Sequence, residues 1–166
     1  MINEEFERFV EAWGSMGILW GINRSMARIH AYLMLQEEPV DSETIADELA
    51  ISRGNTSMCL KDLRNWGVIQ RVHQAGDRRD LYVIEPDIWT MLHRIATGRI
   101  SREFDPAHSA LGQLLKVTDS EKNEKVHKRL NDLEEIMATI KRIFGTFLES
   151  EQKSRGMVEF LKRFVK

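Results

Sequence analysis

The most constraining feature of the chain is a three-residue connection, Ala50-Ile51-Ser52, between a short helix and a longer helix with two unlike faces. On the longer helix Thr56, Cys59, Leu60 and Leu63 recur at helical spacing and form one apolar face. Arg53, Gly54, Ser57, Met58 and Lys61 lie at offsets 0, 1, 4, 5 and 8, which is a single outward stripe. A turn this short makes two helices cross steeply and share a small core. The flanking segments supply the rest of that core. A helix is expected from roughly Arg24 to Gln36, carrying Ile29, Leu33 and Leu35, and Pro39 ends it. Asp41 and Ser42 are N-cap candidates for the short helix, whose apolar residues are Ile45, Ala46 and Leu49. Gly67 stands where a helix C-terminal glycine belongs. Beyond it, Val68–His73 and Leu81–Ile84 are β-prone runs separated by a Gly76-Asp77 turn signal and the basic pair Arg78-Arg79. The order helix, short helix, helix, basic hairpin over residues 24–84 specifies a winged helix-turn-helix.

The outward stripe has the chemistry of a helix that enters a DNA major groove. Arg53 offers a planar fork of donors to guanine, Asn55 suits adenine, and Ser57 suits base edges or phosphate. Gly54 lets backbone approach a phosphate, Met58 offers an apolar contact to a thymine methyl, and Lys61 extends the stripe. Arg78 and Arg79 at the hairpin tip suit a narrow minor groove with strong negative potential.

The run IADELAISRGNTSMCLKDLRNWGVIQRVHQAGDRRDLY, residues 45–82, resembles the recognition helix and wing of MarR-type transcriptional regulators. Within it, SRGNTSMCLKDLRNWGVIQRV followed by GDRRDLY is closer to the GbsR-like branch. The resemblance implies a leading helix, a winged domain and a helical C-terminal dimerisation arm. It also implies that Asp77 supports the wing by pairing with a basic residue of the recognition helix, Arg53 or Arg64, while an arginine of the tip reaches the minor groove. The best-understood members of that branch sense a quaternary ammonium osmolyte, a cation that aromatic cages attract. Trp13, Trp20, Trp66 and Trp89 are either such a cage or the packing between winged domain and dimer arm, and packing is the simpler reading.

The remaining segments are helical. Phe6, Phe9, Val10 and Trp13 mark a first helix that Gly14 and Gly17 interrupt. After Pro86 one helix is expected from Asp87 to about Thr97, and Asp105-Pro106 opens another. Val126, Leu130, Leu133, Met137, Ile140, Phe144 and Phe147 are spaced 4, 3, 4, 3, 4, 3, a heptad stripe suited to a dimer seam. A last amphipathic stretch carries Met157, Phe160, Leu161, Phe164 and Val165. The expected fold class is mainly α with a small β wing: a winged helix-turn-helix domain with N- and C-terminal helical dimerisation arms. Its divisions are 1–23 for the N-terminal arm, 24–86 for the DNA-binding domain and 87–166 for the helical dimerisation region.

Composition excludes several classes. One cysteine, Cys59, on the buried face, rules out an internal disulfide framework, and five histidines without ligand spacing argue against a metal site. No cofactor is expected. No nucleophile, base and orienter pattern stands out, so the chain does not read as an enzyme. No apolar run is long enough for a membrane span, and the acidic N-terminus lacks the basic region of a signal peptide, so the cytoplasm is the expected compartment. The net charge of −2 conceals an asymmetry: residues 1–50 carry ten acids and three bases, residues 51–118 ten bases and seven acids. The expected partners are double-stranded DNA, a second copy of the chain and a small effector of unknown identity and site. The expected function is a homodimeric, sequence-specific DNA-binding regulator, a repressor. The alternative is a winged-helix protein-interaction module, because the fold alone does not dictate DNA binding.

Overall fold

Two helices form a hairpin at the start of the chain, α1 (Glu4–Leu19) and α2 (Arg24–Met34). Gly14 and Gly17 do not interrupt α1, contrary to the sequence expectation. Both are buried where α2 crosses close by. A Cβ at Gly17 would stand 2.5 Å from the Ala27 Cβ, and one at Gly14 would stand 2.7 Å from the Arg28 Cγ. The glycines are there for close approach and not for helix breaking. Asn23 caps α2 by accepting from the Met26 N–H. Glu11 ties the hairpin through Arg24 at 2.5 Å and Arg28 at 2.7 Å.

The computed structural model describes residues 4–76, 78–118, 123–148 and 155–156. The chain divides into two compact units, Met1–Met91 and Leu92–Lys166. In the first unit α2 is followed by β1 (Val40–Asp41), α3 (Ser42–Glu48), α4 (Arg53–Asn65), β2 (Ile69–Val72) and β3 (Leu81–Ile84). The sheet is antiparallel with order β1-β3-β2. Val40 faces Tyr82 across one edge of β3, and Arg71 faces Tyr82 across the other. The two-residue strand β1 was not anticipated, because Asp41 reads in sequence only as a helix cap. The core of this unit is built from Ile29, Leu33, Ile45, Leu60 and Val68, all essentially inaccessible. The fold is a winged helix, mainly α with a small β wing.

Ile88–Arg99 forms α5, which begins in the first unit and continues into the second. In the second unit the expected break before Asp105-Pro106 is absent. The chain passes from α5 through a π turn (Ile100–Phe104) directly into α6 (Asp105–Val117). The Asp105 N–H reaches back five residues to the Ile100 carbonyl. A wider turn tolerates Pro106, which has no N–H to donate and whose ring crowds the preceding turn of an α-helix. The long helix α7 (Glu124–Leu148) packs antiparallel on α6, with Lys141 on Asp105 at 2.8 Å and His108 near Glu134 at 3.4 Å. Along its heptad stripe Leu130, Met137 and Ile140 are half-buried, while Val126, Leu133 and Phe144 remain exposed. The Phe147 side chain and the last amphipathic stretch from Met157 lie outside the described residues.

Two stability predictions follow from α1 and α2. Gly17→Ala gains about 1 kcal/mol of helix propensity, but the new methyl meets the Ala27 Cβ, an atom carried rigidly on backbone. Overpacking of this kind costs about 1–3 kcal/mol. The variant is therefore expected to unfold at lower denaturant, and a gain in stability would contradict the packing role. His30 is buried beside the Trp13 ring, with its Nε2 3.1 Å from the Met91 sulfur. Burial lowers its pKa from 6.5 to about 4. The unfolded chain therefore takes up a proton first, and stability falls as pH drops from 6.5 towards 4, by about 3 kcal/mol in all. Denaturation of wild type and His30→Leu across that range is expected to show a clearly steeper loss in wild type.

Candidate nucleic-acid interface

The stripe proposed from sequence depends on how α4 is held at both ends. The turn from α3 is fixed by Leu49, whose N–H donates to the Ile45 carbonyl at 3.2 Å, and Ile51, whose N–H donates to the Ala46 carbonyl at 2.9 Å. Ala50 takes a left-handed conformation, φ 50°, which turns the chain between the helices. Ile51 is buried beneath it. Ser52 then caps α4, its hydroxyl accepting from the Asn55 N–H and its carbonyl from the Thr56 N–H. At the far end Gly67 adopts φ 70°, and the Val68 N–H closes on the Leu63 carbonyl at 3.1 Å before β2 begins.

Held in this way, α4 has the two expected faces. Thr56, Cys59, Leu60 and Leu63 are buried. Arg53, Gly54, Ser57, Met58 and Lys61 are exposed, with Met58 64% accessible. Burial, and secondarily the Asp62 carboxylate, push the Cys59 thiol above its usual pKa, which suits a core residue. Asn55 is different. It is half-buried, its amide donates to the Ser25 hydroxyl of α2 at 3.0 Å, and its carbonyl oxygen lies 3.5 Å from the Cys59 sulfur. Its side chain ties α4 to α2, whereas the sequence expectation had it facing a base.

The wing side of the site is threaded with ion pairs. Arg79 donates to Asp41 at 2.8 Å, and Arg71 donates to Asp80 at 2.9 Å across the hairpin. Arg78 is exposed at the tip. Asp77 lies outside the described residues. Arg53, one of its two expected partners, instead meets Glu43 in the first turn of α3. Glu43 has no signal in sequence, because ten residues separate it from Arg53 and only the helix crossing brings them together. The Asp41 contact is similarly remote. Burial works against the charge of Asp41. The Thr44 N–H and hydroxyl, the Arg79 guanidinium and the Glu43 N–H outweigh it and hold the carboxyl below its ordinary value of 3.8. Of the four tryptophans, Trp13 packs on Phe9 and His30, Trp20 is exposed, and Trp66 and Trp89 are half-buried. Among the described residues no group of three or more His, Cys, Asp or Glu is placed to hold a metal ion. No described helix is long and apolar enough to cross a membrane.

One solved structure, of a transcriptional regulator, agrees with this geometry at the level of fold. No family model matches the chain. YvaV of Bacillus subtilis (strain 168), described as an HTH-type transcriptional regulator, is 19% identical over 137 residues, covering 80% of this chain and 77% of that protein. A crystal structure of a transcriptional regulator superposes with TM-score 0.66 and 23% identity, covering 87% of this chain and 96% of its own. The MarR family transcription regulator SP03579 gives TM-score 0.41 and 18% identity, covering 84% of this chain and 88% of its own.

The Asp41 knot generates a stability prediction. Asp41→Ala removes the α3 cap and the wing tether together, and losing an N-cap alone costs about 0.5–2 kcal/mol. Arg79→Ala leaves the cap in place and removes an ion pair whose arginine is largely exposed, worth at most about 1 kcal/mol. Urea denaturation is expected to rank Asp41→Ala as clearly the more damaging. Equal losses would mean that the cap contributes little.

Proposed function

We propose that the chain is a sequence-specific DNA-binding transcriptional regulator of the MarR type, within the GbsR-like branch, acting as a homodimeric repressor and not as an enzyme. The observation that carries this reading is the exposed stripe Arg53, Gly54, Ser57, Met58 and Lys61 on a helix anchored at both ends, beside a basic wing. The half-exposed heptad stripe of α7 supports a dimer, with residues 87–166, and residues 1–23, as the arms around a DNA-binding domain of 24–86. Two winged domains in such a dimer read half-sites about one helical turn, roughly 10 bp, apart or a multiple of it. Arg53, Ser57, Met58 and Lys61 face the bases and phosphates, Gly54 admits a phosphate, and Arg78 reaches for the minor groove. Arg79 does so only by exchanging Asp41 for DNA. Asn55 acts from within, setting the rotation of α4 against α2. Asp77 is assigned to support of the wing. A small effector alters the spacing of the two α4 helices, which requires different affinity for the two spacings. The cell's cytoplasm is the compartment in which such a regulator meets its DNA.

Arg53→Ala tests the reading. A guanine held by two hydrogen bonds is worth about 1–3 kcal/mol of discrimination. The variant is therefore expected to lose that much on a duplex selected from a random pool, and much less on a scrambled duplex, where phosphates carry the binding. Arg53→Lys is expected to rescue little, because lysine keeps the charge without the planar fork. Equal losses on both duplexes would make Arg53 a phosphate clamp. Absence of DNA binding by the wild-type protein would leave the protein-interaction module as the reading.

A further inference from the structure

We propose that Glu43 is a positioning residue for Arg53 and sets the discrimination between specific and nonspecific DNA; this rests on the reading of α4 as the DNA-facing helix. The pair bridges two helix N-termini whose backbones are independently pinned. Glu43 donates its N–H to the Asp41 Oδ1 at 3.0 Å, and the neighbouring Thr44 holds the same carboxylate through both its N–H and its hydroxyl. Arg53 follows the cap residue Ser52, whose carbonyl accepts from the Thr56 N–H. The carboxylate engages one terminal nitrogen of the guanidinium, Nη2. An arginine has five donors in a planar fork, so one edge held by Glu43 leaves others for a base.

Both side chains are well exposed, and an exposed ion pair adds little to folding. Its consequence for DNA is larger. With its charge matched by Glu43, Arg53 adds little to the long-range attraction that drives binding to any phosphate backbone. Its oriented fork remains suited to a guanine edge, because a donor set already fixed in direction loses less freedom on binding. The same carboxylate therefore weakens the nonspecific complex and strengthens the specific one. Glu43 also stands on the cleft lined by Asp41, Ser42, Arg78, Arg79 and Asp80, between the start of α3 and the wing.

Binding of the full-length wild-type protein and Glu43→Gln to a duplex selected from a random pool, and to a scrambled duplex, over a series of salt concentrations tests this. The expected result is a roughly five- to tenfold smaller ratio of specific to nonspecific affinity. On the scrambled duplex the salt slope is expected to steepen by about 0.9, the share of one added phosphate contact. In an Arg53→Ala background neither change is expected, because Glu43 acts through Arg53. Glu43→Ala, which also removes the carboxylate, must move the ratio in the same direction. An unchanged ratio, or the same changes persisting without Arg53, overturns the proposal and leaves the reading of α4 intact. A wild-type protein that binds both duplexes equally overturns that reading, and this proposal with it.

Discussion

The carboxylate of Asp41 joins β1 and α3, which follow one another in the chain, to the wing residue Arg79, 38 residues away. One oxygen accepts from the Glu43 and Thr44 N–H groups and so begins α3, and the other accepts from the Thr44 hydroxyl and the Arg79 guanidinium. The residue is also half of β1, opposite Leu81 of β3. The wing, the sheet edge and the first helix of the helix-turn-helix are thus registered against one buried side chain. Buried charge is costly unless it is paired and hydrogen-bonded, and Asp41 is both. Together with the Gly67 turn that leads from α4 into β2, this hydrogen-bond set holds the wing against the helix-turn-helix, and the proposed DNA face inherits its geometry from there.

The parts of this arrangement that were legible in sequence are those with a local period. The buried and outward residues of α4 alternate at helical spacing, the β-prone runs flank a Gly-Asp signal, and the short turn is visible by length alone. What escaped depends on neighbours distant in the chain. Gly14 and Gly17 are poor helix formers by propensity, yet the need to admit Ala27 and Arg28 outweighs that preference. Asp105-Pro106 is a sound helix-start signal, but a π turn absorbs the missing N–H and the helix runs through. Asn55 carries the right chemistry for adenine and sits next to the outward stripe. About 100° per residue separates it from Gly54, however, and that rotation is enough to bring Ser25 within reach.

The second unit shows the same limit from the other side. The heptad spacing correctly predicts a long helix, and α7 runs unbroken for 25 residues. Periodicity does not say what covers the stripe. One flank meets α6, fixed by Lys141 on Asp105 and His108 near Glu134. Exposed Leu133, Ile136, Ile143 and Phe144 leave a second apolar flank open. A stripe shared between an intrachain neighbour and a partner chain has the same sequence signature as one devoted wholly to either, so the proposed dimer rests on exposure and not on spacing.

Charge gives the proposed interface its character. The chain is net acidic, −2, which is an unpromising total for a protein proposed to meet polyanions. The structure shows how the total misleads. Arg53, Arg71 and Arg79 each hold a carboxylate of their own chain, Glu43, Asp80 and Asp41 respectively. In the free protein much of the basic character of the site is neutralised at contact distance, and contact pairs project little field beyond the Debye length of about 8 Å at physiological salt. Under the proposed function, these three arginines therefore add little long-range attraction to arbitrary DNA. A binding event must instead exchange or share these partners one at a time, at distances where geometry decides the outcome. Phosphates offer spherical charge and little direction, whereas a guanine edge offers two aligned acceptors that a planar fork can match. A regulator built on paired arginines loses raw affinity and gains dependence on the base it meets. On this reading the acidic residues around α4 are part of how the helix distinguishes one sequence from another.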